Sequence, residues 1–231
     1  MELFYDPAFT GQGILCESES KHCINVLRHK VDDIITIADG KGHYFTGKII
    51  TAHHKRCEIE HIETVKHSKP KVSIHLAVAP TKNMDRLEWL VEKATELGIS
   101  EITPLLCHHS ERKKIRIDRI ERIAIAAMKQ SLKAFAPVVN ELTSFDTFIK
   151  QIEANNSYIA HCYDSEKQSL KKTYSQEEDL TLLIGPEGDF SKQEVELALA
   201  HGSKPVSLGS SRLRTETAGV VAVHTIHLMN E

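Results

Sequence analysis

Aromatic side chains are scarce in this chain: they make up 6% of its 231 residues, and Trp89 is the single tryptophan. A surface of stacked aromatic platforms therefore has few residues to draw on. Trp89 itself sits inside an apolar stretch and reads as core rather than as a platform for bases. Long apolar runs are also missing, since none approaches the ~20 residues that cross a bilayer. The opening MELFYDPAF has no export-signal pattern, so a cytoplasmic location is expected. Five cysteines (Cys16, Cys23, Cys57, Cys107 and Cys162) form no C-x-x-C pair, which argues for reduced thiols rather than a disulfide framework. Histidine is plentiful, but the pairs His53-His54 and His108-His109 are adjacent, and neighbours on a strand point to opposite faces. No zinc-ligand spacing is present and no metal is expected. Neither G-x-G-x-x-G nor a Gly-Lys-Ser/Thr phosphate loop occurs, and there are no internal repeats or low-complexity segments.

Overall charge has no strong sign either: 29 basic and 32 acidic residues give −3. Distribution is more informative than the sum. Between His108 and Lys133 lie eight basic residues (Arg112, Lys113, Lys114, Arg116, Arg119, Arg122, Lys129, Lys133) against three acidic ones, a local excess of five. That stretch is either a nucleic-acid footprint or a solvated helix face.

The pattern of what is present divides the chain near residue 69. Strand-like runs at 33–38, 43–50 and 56–65, with a tight turn at Asp39-Gly40 and Lys41-Gly42, predict a β-rich unit. One short helix, capped by Ser18 and reaching Leu27, interrupts it. The polar KHSKPK segment follows, after which the period changes. Residues 72–79 alternate as a strand. Leu87, Leu90, Val91, Ala94 and Leu97 then follow helical spacing and stop at Gly98. Further strands are predicted at 102–106, 157–162, 180–184 and 205–208. Helices are predicted around 117–128, 191–201 and 215–229. Strands alternating with helices imply an α/β domain with a mostly parallel sheet covered on both faces.

Two of these strands end in a glycine. Leu182-Leu183-Ile184 runs into Gly185, and Val206-Ser207-Leu208 into Gly209. Side by side, two such ends would offer a ligand site outside the strand C-termini. In GPEGDF, Pro186 fixes a φ and removes a donor, while Gly185 and Gly188 let the backbone approach a ligand. Ser191 and Glu194 form a capping box for the next helix, and Gly202 sits at its expected stop. The second loop adds Arg214, Thr215 and Glu216, so charge lies beside the expected pocket.

GPEGDFSKQEVELA followed by LGSSRLRTETA closely resembles the ribosomal RNA small subunit methyltransferase E family of knotted methyltransferases. HCINVLR (22–28) with ADGKG (38–42), KNMDRLEWLVEKATELGI (82–99) and RIERIAIAAMKQS (119–131) agree in order, so the resemblance spans nearly the whole chain. It implies a PUA-like β-barrel over 1–69 that binds RNA. Over 70–231 it implies a SPOUT methyltransferase domain with a deep C-terminal trefoil knot. It further implies a homodimer and methylation of N3 of one uridine in the decoding region of 16S ribosomal RNA. S-adenosylmethionine is the implied cofactor, held by Ile184, Gly185, Pro186, Glu187, Gly188, Leu208, Gly209, Leu213, Thr217 and Ala218. Loss of the uridine N3 proton needs a base or a positive group that stabilises the developing anion. Arg214 is assigned the electrostatic role and Glu216 orientation or proton acceptance; a plain carboxylate at a helix start, paired with Arg214, is the structural alternative. Arg28, Lys82, Arg86, Arg119 and Arg122 are the expected RNA contacts, supplying affinity through phosphates.

Several positions depart from the family pattern. Asp189 stands at a usual glycine, as does Asp32; Ser210-Ser211-Arg212 replaces Pro-Arg-Ile; and Lys133 replaces an arginine, losing its bidentate fork. Three other readings stay open on the residues alone. One is methylation of a different RNA, since fold does not fix substrate. Another is an RNA-binding assembly factor with a vestigial cofactor pocket. The third is a nicotinamide-dependent oxidoreductase, which lacks its glycine fingerprint here.

Overall fold

The structure is a computed structural model that describes residues 2–152 and 156–231. The chain divides into two compact units, one of residues 1–69 with 125–136 and the other of residues 70–124 with 137–231.

In the first unit, β1 (Leu3–Tyr5), β2 (Gly13–Ile14), β3 (Ile34–Ala38), β4 (His43–Thr51) and β5 (Glu58–Lys66) form one sheet in the order β1-β3-β4-β5-β2. Only the β1/β3 pair is parallel. The turn between β3 and β4 is held by Asp39, whose Oδ1 accepts from the Lys41 and His43 N–H groups at 2.7 and 3.0 Å. Phe4, Phe9, Leu15, Ile37, Phe45 and Ile49 fill the interior of this sheet. The helix predicted from a Ser18 cap starts earlier. Cys16 is its N-cap, α1 covers Glu17–Lys21, and a π-helical turn His22–Val26 follows. In that turn the Leu27 N–H reaches back five residues to the His22 carbonyl at 3.0 Å. Asp32 then adopts φ 75°, so the residue standing at a usual glycine keeps the left-handed backbone that glycine favours.

The second unit is α/β. Its strands are β6 (Ile74–Val78), β7 (Glu101–Leu106), β8 (Val138–Val139), β9 (Thr143–Ser144), β10 (Ser157–Ala160), β11 (Gln168–Ser169), β12 (Leu180–Ile184) and β13 (Lys204–Ser207). They run in the order β11-β13-β10-β12-β6-β7-β8, with β9 beside β7, and every pair is parallel. Parallel strands buried on both faces read as apolar runs. Accordingly Leu76, Leu182 and Ile184 share a core with α2 (Met84–Glu96), with Ile120 and Ala124 of α3 (Ile117–Gln130), with Leu170 of α5 (Leu170–Thr173) and with α7 (Thr215–Met229). Ala77, Ile159 and Leu183 pack on the other face, with Phe145 of α4 (Phe145–Ile149) and Val195 of α6 (Lys192–Ala200). The predicted capping box is present: Ser191 Oγ accepts from the Glu194 N–H at 3.2 Å and Glu194 Oε2 from the Ser191 N–H at 2.7 Å.

Two expectations are corrected here. Trp89 is 44% exposed rather than core. It follows Leu87 by two residues, about 200° round the helix, which turns it away from the stripe of Leu87, Leu90, Val91 and Ala94 that is buried. Strands β12 and β13 are not side by side either. Strand β10 lies between them, paired with both, so three strand ends rather than two converge on the expected site.

Candidate active site

The three ends are those of β10, β12 and β13, and the loops leaving them enclose two adjoining hollows. The larger, about 570 Å³, is walled by His161, Cys162, Tyr163 and Lys167 after β10 and by Leu208, Gly209, Arg212 and Leu213 after β13. The smaller, about 270 Å³, lies against Ile184, Gly185, Pro186 and Glu187, with Arg214 and Thr215 opposite. Ala160, Cys162, Asp189, Arg212, Leu213 and Ala218 line both. Among the expected cofactor residues, Thr217 alone lines neither.

Hydrogen bonds fix the loops against each other. Asp189 adopts φ 63°, the left-handed conformation again, at the departure from glycine. Its N–H closes a turn onto the Pro186 carbonyl at 2.9 Å. Its carboxylate accepts from the Phe190 N–H at 2.8 Å and from the Cys162 N–H at 2.7 Å, joining the β10 and β12 loops. Thr215 Oγ donates to the Gly185 carbonyl at 3.0 Å, joining the β12 loop to the first turn of α7. Gly185 and Gly188, which line the hollows, are also confined by packing on their Cβ side. An added Cβ at Gly185 would sit 3.1 Å from Phe190, and one at Gly188 would sit 3.0 Å from the His109 Cβ. Gly209 differs, with φ 133° and open space on its Cβ side.

An ion pair joins the first turn of α7 to α2. Glu216, 7% exposed in the first turn of α7, places Oε1 3.7 Å from Arg86 Nε of α2, and its Oε2 is buried without a hydrogen-bond partner. The glutamate's partner is thus Arg86 and not Arg214, which is exposed as the N-cap residue of α7. A carboxylate at a helix N-terminus is favoured by the helix dipole, and Arg86 adds a nearby opposite charge.

Comparison with known proteins decides what this site belongs to. Residues 67–227 match the RNA methyltransferase domain family, and residues 15–61 match the RNA methyltransferase PUA domain. Ribosomal RNA small subunit methyltransferase E of Rickettsia conorii is 30% identical over 88% of this chain and 84% of its own. The chain belongs to the ribosomal RNA small subunit methyltransferase E family. The solved structure of a probable rRNA-methyltransferase from Porphyromonas gingivalis is 41% identical, with a TM-score of 0.92 over 100% of this chain and 98% of that one. A ribosomal RNA small subunit methyltransferase E from Neisseria gonorrhoeae, solved bound to S-adenosyl methionine, is 27% identical with a TM-score of 0.87 over 100% and 98%.

The hollows of this family member fit that cofactor. Ala160, Leu208, Leu213 and Ala218 give apolar walls. Among the described residues, the main chain of 210–213 makes no hydrogen bonds of its own, leaving donors and acceptors for a purine edge. His161, which lines the larger hollow, also carries a buried ring nitrogen, Nε2, without a hydrogen-bond partner.

The expected RNA residues lie in different settings. Lys82 pairs with Glu111 at 2.9 Å, and its N–H is held by Glu187 at 2.9 Å. Arg119 pairs with Glu88 at 2.6 Å and Arg122 with Asp118 at 2.8 Å. Arg28 is exposed in the first unit at φ 62°. Arg112, the first residue of the basic stretch, donates to the Thr81 and Lys82 carbonyls and ties down the loop before α2. Sequence reasoning missed His161, Tyr163 and Lys167; the rule that ligands sit at strand C-termini would have found them had β10 been placed between its neighbours.

Proposed function

We propose that this chain methylates N3 of one uridine in the decoding region of 16S ribosomal RNA, using S-adenosylmethionine. The observation that supports this reading is the double hollow at the ends of β10, β12 and β13, with Arg214 in its lining and Glu216 two residues further along α7. Family membership supports the reaction class, and the resemblance in GPEGDF and LRTET supports the choice of acceptor. The same reading takes the second unit as a SPOUT domain knotted at its C-terminus, the first as a PUA-like barrel, and the active form as a cytoplasmic homodimer.

When bound, S-adenosylmethionine supplies an electrophilic methyl group on a cationic sulfur. The residues supply the rest. Main-chain groups of the β13 loop hold the adenine edge, and Leu208, Leu213 and Ala218 exclude water from it. Replacing N3–H by N3–CH3 requires that proton to leave. Glu216 accepts it or orients the base, with Arg86 as its ion-pair partner. Arg214 stabilises the charge that develops on the uridine ring as the proton leaves. Arg28, Lys82, Arg86, Arg119 and Arg122 contribute phosphate contacts, which position the RNA without reading its sequence.

The test is transfer of labelled methyl to small ribosomal subunits from cells lacking the gene, with the product nucleoside identified. N3-methyluridine at one site supports the reading. A different methylated nucleoside, or cofactor binding without transfer to any RNA, overturns it; the latter outcome points to an assembly factor.

A further inference from the structure

The loop after β10 carries a histidine whose chemistry is set by its neighbour. Lys167 folds its side chain under the loop, donating from Nζ to the His161 carbonyl at 2.8 Å and to the Tyr163 carbonyl at 2.5 Å. The same ammonium lies 3.4 Å from His161 Nδ1. An ammonium has protons to give and no lone pair, so Nδ1 can only accept there. The neutral ring then carries its proton on Nε2. That N–H is buried without a partner, in a residue 9% exposed that lines the larger hollow beside Gly209 and Leu213. Burial, followed by the Lys167 charge, holds the ring below its ordinary pKa despite the opposing pull of Asp189. The ring therefore stays neutral. A buried donor left unpaired is costly, and a ligand acceptor would remove that cost.

We infer that His161 is a cofactor-binding residue whose Nε2–H donates to the nucleoside half of S-adenosylmethionine, at an adenine nitrogen or a ribose oxygen. This rests on the methyltransferase reading of the same site. The nucleoside is favoured over the carboxylate because the His161 donor is neutral and the hollow it lines offers Ala160, Val206, Leu208, Leu213 and Ala218 as apolar surface for a purine. Lys167, its cationic neighbour, is already spent on two carbonyls. A neutral donor in such a wall suits a neutral acceptor better than a carboxylate, whose burial needs full charge compensation.

The experiment measures binding by calorimetry of S-adenosylhomocysteine and of 5′-methylthioadenosine, which lacks the amino-acid half, to wild type and His161→Phe. Loss of one hydrogen bond to a buried donor predicts a weakening of about tenfold for both ligands alike. Unchanged affinity for both, or weakening confined to S-adenosylhomocysteine, overturns the assignment. If His161→Phe does not fold, 15N-histidine NMR of the wild-type protein decides. An Nε2–H tautomer whose signal shifts on adding 5′-methylthioadenosine is expected, and an Nδ1–H tautomer or an unmoved signal overturns the inference. Failure of the wild type to bind either ligand would instead sink the methyltransferase reading.

Discussion

Gly219 controls how closely α7 approaches α2, and through α7 it controls where Glu216 and Ala218 stand. A Cβ built on Gly219 falls 2.7 Å from Leu90 Cδ1 and 3.0 Å from Cδ2. Leu90 is fully buried, so it can move only by displacing its packed neighbours. Gly219→Ala therefore sets two effects against each other. Overpacking costs about 1–3 kcal/mol, while removing a mid-helix glycine returns about 1 kcal/mol. The net expectation is a loss of roughly 0–2 kcal/mol, with the clash term decisive. Leu90→Ala alone should cost about 2–5 kcal/mol by opening a cavity.

The double variant discriminates. If the Gly219 methyl and the Leu90 side chain compete for one space, the added methyl fills part of the cavity and the combined loss falls short of the sum. A coupling of about 0.5–3 kcal/mol is expected for residues in contact. Urea denaturation of the wild type, both single variants and the double variant supplies the four stabilities, with equal m-values as the check that the unfolded state is unchanged. Strict additivity would refute the packing argument, because it would mean that α7 accommodates the methyl without touching Leu90.

Other consequences follow from named contacts. His75 and His161 both sit below their ordinary value of 6.5, burial being the leading cause in each, so the unfolded chain takes up these protons first. Stability should then fall as pH drops below that value toward the folded pKa values, and His75→Gln should flatten the fall; identical pH slopes would contradict the burial argument. Asp39 acts lower. Burial alone would raise it, but the Lys41 and His43 N–H groups and the His43 ring outweigh burial, so its support is lost only as pH falls below 3.8. Asp189→Gly keeps the left-handed backbone but loses two hydrogen bonds to a charged acceptor, a loss of about 1–3 kcal/mol. Asp189→Ala should melt lower still, and an alanine variant as stable as wild type would show that these bonds contribute nothing. Arg119→Gln with Arg122→Gln should weaken RNA binding and reduce its salt dependence by up to about two counterions; an unchanged salt slope would return this stretch to a solvated face.

What the sequence discloses here is what is written locally. The capping box at Ser191 and Glu194, the helix stop at Gly98 and the start of α7 after Arg214 each depend on residues within a turn of one another, and each is found where the pattern places it. The short strands β1, β2, β8, β9 and β11 escaped notice because two or three residues carry no period. Trp89 escaped for another reason: membership in an apolar stretch was read where the angle round the helix decides burial.

The candidate site divides along the same line. Two of its three loops are marked by glycine, proline and charge in the sequence, whereas the β10 loop carries no such mark and enters only through the strand order. Its key contact, Lys167 with His161, spans six residues, yet nothing in AHCYDSEK announces it. The Arg86–Glu216 pair spans far more of the chain and exists because Gly219 lets α2 and α7 pack closely. Asp32 and Asp189 show the converse. Each looked like a weakening of the family pattern, and each holds the positive φ that a glycine would have supplied. The requirement sits in the backbone conformation rather than in the residue name. Aspartate meets it while adding, at Asp189, a carboxylate that joins two loops of the site. A departure at a turn is therefore better judged by the φ it must adopt and the N–H groups within its reach than by its distance from a consensus letter.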